Sequence, residues 1–224
     1  MLFAPFLIFY GLFFFLLLAF VFALVTVGFI NYAFHEIGLT PNMAFAALLL
    51  SFLGSYVNIP VWRLGGSAPL DYAFAHSFGV RYPIPRRYAG GSTTVAVNVG
   101  GAVVPVVLSA YLLLREPGLF LPAVAATTIV ALVVHRLARP VPGLGIATPM
   151  FVPPLVAALA GYFLGAPHYA DVLAYVSGVM GTLIGADLAN LHKLGDLGAP
   201  VASIGGAGTF DGIFLSGIVA ALLA

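Results

Sequence analysis

The sequence predicts an all-α polytopic membrane protein with about seven transmembrane helices. Its residues are 62% hydrophobic and only 7% charged, with a mean hydropathy of +1.13, whereas a soluble domain carries about 25% charged residues. Apolar runs fill most of the 224 residues, and a helix needs about 20 residues to cross the hydrocarbon layer. The runs are continuous and do not alternate, which points to helices and away from a barrel.

The predicted spans are residues 4–29, 42–58, 94–114, 118–136, 150–165, 171–192 and 204–223, forming a single integral membrane domain over 1–224. The first begins with no basic region, its apolar core is too long for a signal peptide, and no Ala-x-Ala cleavage site follows, so it reads as a retained helix. The basic residues orient the set. Arg63, Arg81, Arg86 and Arg87 lie between spans 2 and 3, Arg136 and Arg139 between spans 4 and 5, and Lys193 between spans 6 and 7. Only Arg115 falls on the other side, with Glu36, Glu116 and Asp171. The positive-inside rule then places the N-terminus in the cytoplasm and the chain in the cell membrane, its lipid bilayer the first partner.

The longest connection runs from Pro60 to Thr93. Within it, "DYAFAHSFGVRYPIP" puts Tyr72, Phe74, Phe78, Val80, Tyr82 and Ile84 on alternate positions. That period of two fits a short β-hairpin in the 60–93 loop, lying at the inner membrane surface. It equally fits an amphipathic surface loop with an aromatic belt. Pro83 and Pro85 restrict any such strand to a sheet edge. Ahead of span 5, "ARPVPGLGIATPMFVPPL" carries five prolines. It reads either as a plain structural loop or as broken backbone beside a cavity.

Several chemistries are excluded. The chain has no cysteine, so it has no disulfide, thiolate metal site or cysteine nucleophile. His35, His76, His135, His168 and His192 form no tight ligand spacing and no Ser sits in a G-x-S-x-G turn, so no metal and no cofactor is called for. No basic stripe or motif points to nucleic acid. The lack of Cys and Gln fits a thermophile, while the excess of Arg over Lys equally reflects genomic base composition.

The polar residues inside the spans gather towards the cytoplasmic side. Asn58 ends span 2, Asn98 lies near the start of span 3, Thr148 precedes span 5, Asp187 and Asn190 fall in the last turns of span 6, and Asp211 sits in span 7. At 1.5 Å per residue, Asp187 lies roughly 7 Å from its helix end and Asp211 roughly 6 Å from its own. Glycine pairs, Gly181/Gly185 in span 6 and Gly208/Gly212 in span 7, are expected to let these two helices pack closely. Two carboxylates held together in low dielectric share one proton, leaving one as a base and the other as an acid.

"GTFDGIFLSG" resembles the second catalytic motif of the GxGD aspartyl intramembrane proteases, the presenilin and signal-peptide-peptidase group. Gly208 and Asp211 match it, Phe210 stands where that group has its second Gly, and Asp187 in "GADLANL" takes the place of the first aspartate, with Ala186 for the usual tyrosine. The group's later Pro-Ala-Leu motif has as its nearest counterpart Pro153, Pro154 and Leu155. The resemblance implies a hydrolase with catalytic Asp187 and Asp211, acting on a membrane-spanning protein or peptide held as an extended strand. Asn58, Asn98, Thr148, Pro153, Pro154, Leu155, Asn190 and Gly208 would shape the site. As a whole, "VNIPVW", "NVGGAVVP" and "GGAGTFDGIFLSG" resemble the prokaryotic membrane family called domain of unknown function 1614.

Other readings of the same residues stand beside the protease. Intramembrane acids commonly bind a cation or relay protons in a transporter or channel, although no inverted repeat divides this chain. A metal-dependent hydrolase would use Asp187, His192, Asp196 and Asp211, and a structural role needs no chemistry at all.

Overall fold

Residues 4–65, 72–77, 80–85, 92–141, 145–195, 201–206 and 212–224 are described in the structure, a computed structural model. Over them the chain is mostly helical. Helix α1 (Ala4–Glu36) is apolar on every side, and from Leu12 on it buries side chains only towards its C-terminal end, where Ile30, Ala33 and Phe34 meet the rest of the molecule. Phe34 packs edge-on against Phe214, with ring centroids 6.3 Å apart. Helix α2 (Pro41–Gly54) starts with Pro41 behind Thr40, whose hydroxyl accepts the Met43 N–H, a start that suits proline's missing donor.

The chain then leaves helix. Strands β1 (Asn58–Gly65) and β4 (Ser92–Asn98) pair antiparallel, with Asn58 opposite Asn98 and a bulge between Pro60 and Trp62. Between them, β2 (Tyr72–Ser77) and β3 (Val80–Pro85) form a separate antiparallel pair, Ser77 opposite Val80. This pairing is the strand reading, one of the two that the period-two pattern left open. Helix α3 (Val104–Arg115) follows β4 through a π-helical turn, Val99–Val103.

A short 3-10 turn leads into α4 (Phe120–Leu137). The proline-rich stretch opens as a hairpin, β5 (Arg139–Val141) with β6 (Gly145–Ala147), and closes in the first turn of α5 (Val152–Leu164), which holds Pro153 and Pro154. The first turn of a helix has no carbonyl to bond, so prolines fit there. Helix α6 (Ala170–Thr182) continues through a π turn, Leu183–Asp187, and a 3-10 turn, Leu188–Asn190, into the short α7 (Leu191–Leu194). Strand β7 (Val201–Ile204) precedes the last helix, α8 (Gly212–Leu223).

Helix α6 forms the centre, packed by α3, α4, α5 and α8. In the most apolar 18-residue stretch through α6, 72% of residues are buried, against 6% in the corresponding stretch of α1. That contrast separates a core helix from one facing lipid. Among the described residues, three helical stretches are long and apolar enough to cross a membrane, 12–36, 117–137 and 170–194, and the shorter apolar helices are 41–54, 99–115, 152–164 and 212–223.

Two expectations are corrected. The protein is not all-α, because β1, β4 and β7 form one sheet in the order β1-β4-β7, with β7 parallel to β4. Its strands occupy residues assigned to helix: Asn58 at the end of span 2, 94–98 at the start of span 3, and Ile204 at the start of span 7. "STTVAVN" is rich in β-branched residues, and a short apolar run does not by itself distinguish strand from helix.

The second correction concerns glycine packing. A Cβ on Gly181 or Gly185 would strike Val130, Ala131 or Val134 of α4, and none of the described residues lies within 4 Å of the position where Gly212 would carry one. Helices α6 and α8 do meet closely, but through Gly178 against Ser216 and Gly217 against Tyr175 and Val179. A small-residue stripe permits close approach without choosing the neighbour, and α6 has neighbours on several sides.

Candidate functional site

The site forms where the strand ends meet the π turn of α6. Asn98, wholly buried, closes strand β4. Its Nδ2 donates to the Ser55 carbonyl at 2.8 Å and to Asn58 Oδ1 at 3.2 Å, while its Oδ1 accepts the Gly101 N–H at 2.7 Å. One amide therefore ties the end of α2, strand β1 and the turn into α3 together, leaving few of its bonding positions empty. Asn58 Oδ1 also accepts from the Ser203 hydroxyl at 2.6 Å, which brings in β7.

Glycines make this junction possible. A side chain on Gly100 would strike the Ser51 carbonyl and the Ser55 N–H, and one on Gly101 would strike the Gly205 carbonyl. Gly205 and Gly206 turn the chain away from β7 with φ of 82° and 75°, a region that glycine enters without steric cost.

Asp187 ends the π turn. In an unbroken α-helix it would lie about 140° around the axis from Thr182. The extra residue of the π turn carries it back towards the Thr182 side, where the Thr182 and Ser216 hydroxyls hydrogen-bond at 2.9 Å between α6 and α8. Asp187 Oδ2 accepts the Gly205 N–H at 3.1 Å. Asn190 steadies the turn, its Nδ2 lying 3.0 Å from the Gly185 carbonyl, 2.9 Å from that of Ala186 and 3.3 Å from His135 Nδ1, while its Oδ1 accepts from Lys193 Nζ at 2.7 Å. Carbonyls left over by the irregular helix are satisfied this way.

The sequence-predicted residues therefore divide into groups. Asn58 and Asn98 share one network, and Asp187 with Asn190 borders it across Gly205. Thr148 lies between β6 and α5, Pro153 and Pro154 are buried in the first turn of α5, and Leu155 is exposed. Asp211 and Gly208 lie outside the described residues. Ser55, Ser203 and Gly205 were missed by the sequence reading. Ser203 and Gly205 stand in the "SIGG" run, whose paired glycines open the quoted "GGAGTFDGIFLSG" stretch and were the available signal.

At the opposite end of the helices, Arg115 Nη1 donates to the Gly38 carbonyl at 2.9 Å. The Tyr169 hydroxyl bonds the Glu116 carboxylate, which raises the tyrosine's pKa. Among the described residues, no cluster of three or more His, Asp or Glu side chains could hold a metal. Asp196 and Asp211, two members of the metal-hydrolase set, fall outside those residues.

Fold and site together define a helical membrane protein with a small mixed sheet set against the broken end of its central helix. The chain belongs to the family described as "Protein of unknown function (DUF1614)", which matches residues 52–223. The stretches "VNIPVW", "NVGGAVVP" and "GGAGTFDGIFLSG" all fall within that match, and the first two and the opening of the third meet at the junction around Asn98 and Gly205. No curated protein and no solved structure matches the chain.

Proposed function

We propose that the protein is an aspartyl intramembrane protease in which Asp187 and Asp211 act as an acid–base pair. The observation that carries this reading is the bond from the Gly205 N–H to Asp187 Oδ2. It fastens the first acid to the segment that leads, six residues later, to the second. In this reading the segment returns Asp211 to Asp187, across at most the roughly 20 Å that six fully extended residues span. The local resemblance to the GxGD proteases points the same way.

In this mechanism the pair shares one proton. The ionised carboxylate takes a proton from water as its oxygen attacks the scissile carbonyl carbon, and the protonated carboxyl hydrogen-bonds and then protonates the carbonyl oxygen. Collapse of the tetrahedral intermediate releases the amine, which receives a proton from the pair. A membrane-spanning substrate has to be extended first. Strands β2, β3 and β7 each have a described neighbour on one side only, and β7 suits that task best because it ends beside Gly205. All seven helical stretches would cross the bilayer in this proposal, with the N-terminus and the sheet on the cytoplasmic side of the cell membrane.

A proton- or cation-coupled transporter or channel is the second reading. It is favoured by hydroxyls along α6 and α8: the Thr182–Ser216 bond, and a fully buried Tyr175 hydroxyl with no described hydrogen-bond partner. Such groups line proton and cation paths.

One experiment separates the two. Purified protein in proteoliposomes is offered a panel of single-span peptides, alongside Asp187→Asn, Asp211→Asn and the double variant. A protease cuts at least one peptide, and each single variant loses cleavage as fully as the double one. Proton or cation flux that falls with either variant, with no peptide cut, replaces the protease with the transporter.

A further inference from the structure

Strand β1 is exposed along nearly its whole length, and between Asn58 and Arg63 the exposed residues are apolar. Ile59, Val61 and Trp62 are 48%, 56% and 64% exposed, and Tyr56 just before the strand is 71% exposed. A half-buried strand alternates between faces, but the bulge beside Pro60 interrupts that alternation, and Val61 and Trp62 are both exposed in succession. Contiguous apolar surface of this kind marks an interaction site.

Three features identify the occupant. Strand β1 leaves α2 through only Ser55, Tyr56 and Val57, so it stands at the level where an apolar helix ends, and Trp and Tyr favour that boundary of a bilayer. The same end of the molecule exposes Arg63, Arg136 and Arg139, whose guanidinium groups match phosphate oxygens. Pro60 removes a backbone donor and the adjacent bulge twists the strand, two devices that discourage pairing with another chain. Together they favour a lipid over a second polypeptide.

We propose that β1 is an interfacial anchor for anionic phospholipid. Trp62, Ile59 and Val61 enter the boundary between headgroups and acyl chains, and Arg63, supported by Arg136 and Arg139, meets the phosphates. This goes beyond the protease reading and holds whatever the acids do. It also links lipid to the site, since Asn58, the first residue of β1, bonds both Asn98 and Ser203.

Trp62 is the only tryptophan in the chain, so its fluorescence reports this strand alone. The full-length protein is reconstituted in phosphatidylcholine vesicles brominated either high or low on the acyl chain, and in equal mixtures with brominated phosphatidylglycerol. Shallow bromines should quench Trp62 more than deep ones, and brominated phosphatidylglycerol more than brominated phosphatidylcholine. Arg63→Gln should lower that preference by about fivefold, the worth of one surface charge. Water-like emission without quenching would overturn the anchor, and so would blue-shifted emission without quenching, the result expected if another chain covered the strand. Equal quenching by the two headgroups would overturn the anionic-lipid site.

Discussion

Asp187 Oδ2 accepts the backbone N–H of Gly205 at 3.1 Å. A carboxylate that ends a π turn in one helix thus caps the glycine turn that opens the route to the next. The bond gives Asp187 a structural role separable from any chemistry. Asp187→Asn keeps an oxygen for the Gly205 N–H, whereas Asp187→Ala leaves a buried donor unmatched. The alanine variant should lose about 1–3 kcal/mol of stability and the asparagine variant clearly less, as read by thermal unfolding in detergent. Equal losses would show that the charge, and not the acceptor, holds the turn.

Asn98 offers a sharper case, because both its donor and acceptor groups are used inside a fully buried site. Asn98→Asp keeps the acceptor for Gly101 but turns a second oxygen towards the Ser55 carbonyl and Asn58 Oδ1. Both Asn98→Asp and Asn98→Ala should lower stability by about 2–4 kcal/mol, with Asp no better than Ala. A well-tolerated aspartate would mean that the network does not hold the strand ends together.

The two glycine turns around the site can be told apart by one methyl group. At Gly205, φ is 82° and a Cβ would lie 2.7 Å from the Ala102 N–H nitrogen, so Gly205→Ala should lose about 2 kcal/mol or more. At Gly212 the same methyl meets none of the described residues within 4 Å. Gly212→Ala should be neutral or gain up to about 1 kcal/mol from helix propensity. Unfolding midpoints of the two variants, measured side by side, check the ordering.

Orientation is testable without removing any native thiol, since the chain has none. A Glu116→Cys variant should react with an impermeant maleimide in intact cells, and an Arg63→Cys variant only after permeabilisation. The reverse pattern would invert the proposed topology and move the site to the outer face.

Composition alone determined that this is a membrane protein, because hydropathy is a sum over residues and needs no fold. The order of the helices, the alternation in 72–85 and the rarity of Asp187 and Asn98 within apolar surroundings were legible for the same reason: each is a local pattern. The β1-β4-β7 sheet was not. Thr94 pairs with Val201 through a contact between distant parts of the chain, and in "STTVAVN" an apolar, β-branched run carries no period that distinguishes strand from helix. The neighbour of Gly181 and Gly185 was likewise open, since a missing side chain says that something approaches but not which helix does. Asp187 faces Gly205 only because a π turn adds a residue to α6 and shifts its phase. That turn becomes favourable when α4 closes on Gly185 and Asn190 takes up the freed carbonyls, so tertiary packing decided where the acid points.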